Sequence, residues 1–171
     1  MSHDIDKIVS DVVKQVLGVE SSDVKTIPTV KNSMTRMTLD AAKKTIEAVE
    51  KKAAEIGVKA VTAISDAGGN PIAVRCMDDA FIASYDIAVN KAFTVVSLKM
   101  PTKNLATLAA PGGSLYGIQF TNNGKIVIFG GGEPLTNKDG VIIGGLGVSG
   151  GTAEQDTLLG EYGKEFFENL I

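Results

Sequence analysis

The sequence predicts an α+β fold: an antiparallel β-sheet of about five strands flanked by helices, behind an N-terminal amphipathic helix. Three observations predict it. Long stretches carry apolar residues at three- and four-residue steps. Short β-branched runs return on themselves around Gly/Asn turns. Regular βαβ alternation is missing. At 171 residues the chain suffices for one domain and a tail.

The first element is a helix over residues 1–18. Ile5, Ile8, Val9, Val12, Val13 and Val16 fall on one helical face, Ser2 can cap it, and Gly18 can stop it. A helix this short is marginal alone and needs a surface for its apolar stripe. Residues 19–36, with Ser21, Ser22 and Pro28 and no helical period, read as a linker to a domain spanning 37–171. Thr38 caps a helix running to about Ile56, with Leu39, Ala42, Ile46, Val49 and Ala53 as its buried stripe and Gly57 beyond its end. Val58–Ser65 and Pro71–Cys76 read as strands joined through Asp66-Ala67-Gly68-Gly69-Asn70.

A second helix of the domain spans about Ser84–Lys99, stopped by Pro101. Asp86, Asn90, Thr94 and Ser97 form its polar stripe; Ile87, Ala88, Val95 and Leu98 form its apolar one. Thr102–Ala109 predicts a short helix. Lys125–Phe129 and Val141–Val148 read as strands, and Tyr116–Phe120 as a further one. The last helix runs from Thr152 to Leu170, with Leu158, Leu159, Tyr162, Phe166, Phe167 and Leu170 on one side.

Composition removes several functions. With 17 Lys+Arg against 20 Asp+Glu, the net charge of −3 argues against a nucleic-acid binder that neutralises phosphates. The most apolar run, Val141–Val148, is too short to span a bilayer as a helix, so no membrane partner is expected. The one cysteine, Cys76, cannot close an internal disulfide and suits a reducing cytoplasm. The one histidine, His3, lies in the tail and excludes a His-pair metal site in the domain.

Thirteen of the 19 glycines lie between Gly112 and Gly151. Pro111-Gly112-Gly113, Gly130-Gly131-Gly132 and Gly150-Gly151 can expose backbone N–H groups to a ligand. Ser149-Gly150-Gly151-Thr152 runs from a strand into a helix, whose N-terminus favours an anionic group. The alternative is tight turns and close packing. Lys91 is four residues from both Ile87 and Val95, so it projects from an apolar face. It can anchor a ligand acid or act with a lowered pKa, or it can form an ion pair with Asp78, Asp79 or Glu154. Glu154 and Asp156 suit the positive start of the last helix or an acid/base role. Tyr85 and Tyr116 carry phenolic oxygens, with core packing as the ordinary use of both. Asn104–Gly124 contains no charged residue and requires cover from its own core or a neighbouring subunit.

Four ordered blocks carry a resemblance: Val61 to Asn70, Ile87-Ala88-Val89-Asn90-Lys91-Ala92-Phe93-Thr94, Pro111-Gly112-Gly113-Ser114-Leu115-Tyr116-Gly117, and Gly147 to Asp156. Together they resemble the GlcG/HbpS family, which includes the C-terminal domain of PduO-type proteins. The resemblance covers about residues 37–171. It implies helices on both faces of the sheet, homo-oligomers, and heme as a cofactor of several relatives. PduO-type relatives serve cobalamin-dependent diol metabolism, but their adenosyltransferase domain is not expected here. Some relatives ligate heme iron through histidine; this domain has none, so ligation would fall to Tyr, Met, Cys, Thr, water or another chain's His3.

The N-terminal helix and linker are similar to the encapsulation peptides of bacterial microcompartment cargo. That likeness implies docking of Ile5, Ile8, Val9, Val12, Val13 and Val16 on a shell or cargo partner; the alternative is a helix packed on its own oligomer. The combined expectation is a cytoplasmic accessory protein of a microcompartment, binding a small anionic ligand such as heme or another tetrapyrrole. The site would gather Lys91, Pro111, Gly112, Gly113, Tyr116, Gly130, Gly131, Gly132, Ser149, Gly150, Gly151, Thr152, Glu154 and Asp156. Two alternatives stay open. One is an enzyme acting on a small carbonyl or acid metabolite or degrading heme. The other is a purely structural oligomer.

Overall fold

Thr38 opens the first helix of the computed structural model, which describes residues 34–171. Its hydroxyl accepts the Ala41 N–H at 3.2 Å, and Gly57, at φ +73°, follows the helix end. Helix α1 (Leu39–Glu55) buries Ala42, Ile46, Val49 and Ala53. Leu39, expected in the same stripe, is exposed, while Met37 before it and Ala41 after it are buried in the core. The helix expected over residues 1–18, and all but the end of the linker, lie outside the described residues.

Strands β1 (Val61–Asp66) and β2 (Pro71–Cys76) form the predicted hairpin. Its loop is held by the Asp66 carboxylate, which accepts the N–H groups of Gly68 and Asn70 at 2.8 and 2.9 Å. Helix α2 (Ser84–Leu98) and the short α3 (Thr102–Leu108) follow, separated by Lys99 in the left-handed region and Pro101. Strands β3 (Gly132–Thr136) and β4 (Ile142–Ser149) come next, and α4 (Ala153–Leu170) closes the chain. The sheet is antiparallel with four strands in the order β2-β1-β4-β3.

The strand expectations need correction. Lys125–Phe129 pairs with no strand, and Ile118–Phe120 is a turn of 3₁₀ helix. The fourth strand, β3, begins in the Gly-rich run where a loop is the natural reading. It tolerates Pro134 because it lies at the sheet edge. The sheet therefore has four strands where about five are expected.

Helices cover both faces. On one, α1 and α4 bury Ile46, Val49, Leu159 and Phe167 against Ile64, Leu135, Leu146 and Val148. On the other, α2 packs Ala88 and Ala92 on Val61 and Ala63. Here the glycines of β4 matter: a Cβ at Gly147 would lie 2.0 Å from the Ala88 carbonyl oxygen, so α2 rests directly on the strand backbone. In α4, Leu158, Tyr162 and Leu170 are exposed, while Gly160 and Gly163 are buried. At Gly163 a Cβ would lie 2.6 Å from Val49, so that helix approaches α1 through glycine as well as through its large apolar residues.

Candidate functional site

The pairing of β3 with β4 ends at Gly132–Gly147. The next residue of β4, Val148, donates its N–H to the Gly131 carbonyl at 2.8 Å. Its own carbonyl is left without a strand partner, and Lys91 supplies one. The Lys91 ammonium donates to Val148 O at 2.7 Å and to Asp156 Oδ2 at 2.7 Å. Neither side chain reaches solvent: Lys91 is 0% exposed and Asp156 2%. The other carboxylate oxygen of Asp156 accepts the Gly151 N–H at 2.9 Å. Burial pushes the Lys91 pKa below the ordinary lysine range, and the Asp156 carboxylate opposes that shift.

This ammonium is therefore held by two acceptors inside the protein. Its remaining face lies over the Phe129 ring, 4.7 Å from the centroid. Of the two sequence readings for Lys91, the structure realises the ion pair. The partner is Asp156 rather than Asp78, Asp79 or Glu154. Gly131 makes room for it: with φ +108°, a Cβ there would fall 2.6 Å from Val148 O and 2.8 Å from Lys91 Nζ.

The glycine segments pack closely around this pair. A Cβ at Gly130 would meet the Thr157 hydroxyl at 1.9 Å, and one at Gly150 the Lys59 carbonyl at 2.4 Å. Gly132 donates its N–H to the Thr102 hydroxyl at 2.8 Å. Ser149 lies across from Ser84, hydroxyl to hydroxyl at 3.2 Å. The start of α4 is capped internally. Thr152 and Gln155 satisfy each other's backbone N–H groups at 3.3 and 2.9 Å. Glu154 is exposed, its pKa held below the ordinary range by hydrogen bonds from the Thr152 hydroxyl and a backbone N–H. The donors expected to meet an anion at this helix start are thus largely used by the protein itself.

Pro111, Gly112, Gly113 and Tyr116 stand apart from this cluster. They form a turn after α3, closed by the Leu115 N–H on Leu108 O at 2.9 Å. Tyr116 and Tyr85 are both exposed, against the core packing expected for them. Thr94, expected on a polar stripe, is buried, where its hydroxyl accepts the Val127 N–H at 3.0 Å and anchors the strand-like run before Phe129.

Outside the ion pair lies an open cleft of about 430 Å³ between α3, the Phe129-Gly130 turn and α4. Phe129 is 40% exposed and forms its apolar wall with Leu158 and Ala106. Lys103, Glu154 and Glu161 bring one cation and two carboxylates to its lining, and Lys103 is hydrogen-bonded to Glu161. Behind it, Glu133 is buried on β3 with Lys164 at 3.8 Å. Burial raises its pKa above the ordinary carboxylate value, against the pull of Lys164 and Lys103. A larger depression of about 600 Å³ runs along edge strand β2, but its walls are polar, with Arg75 tied to Glu50 at 2.9 Å. It includes none of the glycine loops.

Of the expected site residues, Gly130 and Glu154 line the cleft. Lys91, Gly131 and Asp156 form the layer beneath its Phe129 wall. Phe129, Lys103, Leu158 and Glu161 are not among the expected site residues. The one sequence signal for Phe129 was its place as a scarce aromatic directly before three glycines. Lys103 and Glu161, 58 residues apart, gave none.

The comparisons agree with this architecture. The family described as "Haem degrading protein HbpS-like" matches residues 37–164. An uncharacterised 15.0 kDa protein from the dhaT–dhaS intergenic region of Citrobacter freundii is 50% identical over 134 residues, covering 78% of this chain and 94% of that protein. The corrinoid adenosyltransferase PduO of Salmonella typhimurium is 43% identical over 109 residues, 64% of this chain, yet the chain spans only 32% of PduO. Among solved structures, PduOC in complex with heme superposes with a TM-score of 0.73 at 35% identity, covering 76% of this chain and 94% of that one. With the family match extending through both glycine-built layers and the Phe129 turn, the chain belongs to the HbpS-like family.

Proposed function

We propose that this protein is an accessory, homo-oligomeric tetrapyrrole-binding protein of a bacterial microcompartment, with the Phe129 cleft as its ligand site. The likeness to PduOC in its heme complex, over 94% of that chain, carries the reading. The cleft supports it chemically. Phe129, Leu158 and Ala106 offer an apolar wall to a flat macrocycle, and Lys103 offers a rim cation to its carboxylates in exchange for Glu161.

The described lining supports contact with the ring and offers no ordinary ligand to the iron. Among the described residues, His, Cys, Met and Tyr, the usual axial ligands, are all missing from the cleft lining. Lys91 lies too deep to touch a ligand and supports Phe129 from behind.

Phe81, Ile82 and Phe120 are large apolar residues left open to solvent, which supports a second copy as their cover. The apolar stripe from Ile5 to Val16 and the likeness to PduO support delivery into a microcompartment. Among the described residues no helix is long and apolar enough to cross a membrane.

Titration of the purified protein with hemin tests the binding claim. A saturable Soret shift at micromolar protein is expected; an unchanged spectrum removes the proposal. A second reading, breakdown of the bound heme, is favoured by the description of the matching family. It predicts loss of the Soret band when reductant and oxygen are added to the complex.

A further inference from the structure

We infer that the Phe129 cleft recognises a tetrapyrrole by its ring and rim and not by its metal, so that a metal-free porphyrin binds about as well as heme. This rests on the tetrapyrrole reading above and narrows it to one chemistry.

Two independent observations carry it. The first is the platform. One face of the Phe129 ring is held over the Lys91 ammonium at 4.7 Å. That ammonium is itself fixed by two bonds of 2.7 Å to Val148 O and Asp156 Oδ2. Asp156 is tied in turn to the Gly151 N–H. The ring is thus set in place before any ligand arrives, while the residue is 40% exposed and lines the cleft. A flat π-system stacking on a preorganised ring loses little conformational freedom on binding.

The second is the donor set. Among the described residues the polar lining consists of Lys103, Glu154, Thr157 and Glu161. Lys103 and Glu161 already bond each other, and the Thr157 hydroxyl donates to Ala153 O. The sequence's one histidine, His3, lies outside the described residues. Among the described residues a soft or imidazole ligand for iron is therefore missing from the lining. The attraction left is stacking on Phe129, apolar contact with Leu158, and one exchangeable cation at the rim.

The experiment titrates the full chain with hemin and, separately, with metal-free protoporphyrin IX. Wild type is compared with Phe129→Ala and Phe129→Trp; the protein has no tryptophan of its own, so the introduced indole reports only on this site. Circular dichroism confirms the fold of each variant. Expected are affinities for the two porphyrins within about threefold of each other in wild type. Phe129→Ala should lose about tenfold toward both, and Phe129→Trp should bind with indole quenching that tracks occupancy. Hemin binding at least about tenfold tighter than protoporphyrin, with a low-spin six-coordinate spectrum, overturns the inference and leaves the tetrapyrrole reading standing. So does wild-type affinity in a folded Phe129→Ala, or an unquenched indole at saturation. If wild type binds neither porphyrin, the reading itself falls, and the inference with it.

Discussion

Lys91 Nζ and Asp156 Oδ2 are 2.7 Å apart in a layer that solvent does not reach. The pair joins α2 to the start of α4, takes up the Val148 carbonyl left over at the end of the β3–β4 ladder, and backs the wall of the cleft. The packing of the fold and the wall of the proposed ligand cleft thus share one ionic contact.

Breaking that contact from one side leaves a charge buried without a partner. Lys91→Ala or Asp156→Ala should each cost about 3–5 kcal/mol in urea unfolding. The double variant Lys91→Met/Asp156→Leu should recover much of the loss, since it removes both charges and keeps the volume. Additive losses in the double variant would contradict the coupling.

Glu133 offers a pH-dependent test. Its folded-state pKa is raised above 4.5, chiefly by burial, with Lys164 and Lys103 pulling against Glu161 and Glu168. A carboxyl with a raised folded pKa binds its proton more tightly in the native state. Its contribution therefore falls as pH rises from the ordinary value through the raised one. Glu133→Gln should flatten that decline and raise Tm at pH 7, with the gain disappearing below pH 4.5. Thermal melts of both proteins between pH 4 and 8 check it (roughly the window in which carboxyls titrate). An equal gain at every pH would contradict the assignment.

Glu161 holds Lys103 at the cleft rim. Glu161→Gln should free that ammonium for a ligand carboxylate and tighten hemin binding by roughly threefold, the scale of an exposed ion pair. The effect should shrink at high salt. Weaker binding in this variant, measured by the same titration, would place the rim elsewhere.

Deleting residues 1–18 should leave porphyrin affinity and the fold unchanged but abolish co-purification with microcompartment shells. Fractionation of host lysates by density checks it. Truncated protein that still travels with shells would refute the targeting role of Ile5 to Val16.

Much of the fold was legible because α1, α2 and α4 each carry a local signal. Thr38 and Thr152 cap, Gly57 and Pro101 stop, and the apolar stripes follow one face. Strand β3 was not, because Gly132-Glu133-Pro134 has the composition of a turn and becomes a strand only by pairing with β4. Lys125–Phe129 has strand composition and no ladder to join. At the site, Lys91 was legible from its place on an apolar face. Its partner was not: 65 residues separate it from Asp156, and helix-dipole placement explained that aspartate well enough alone. The glycine loops fitted both exposed donors and close packing in sequence; at Gly147 and Gly150 it is backbone approaching backbone that demands glycine.

Hydrogen–deuterium exchange of the full chain, with and without saturating protoporphyrin IX, tests the central claim most directly. The account predicts new protection at Phe129-Gly130 and along Ala153–Leu158, the two walls of the cleft. Protection confined to Pro111–Tyr116 or to Arg75–Asp78, with the cleft walls unchanged, would contradict it.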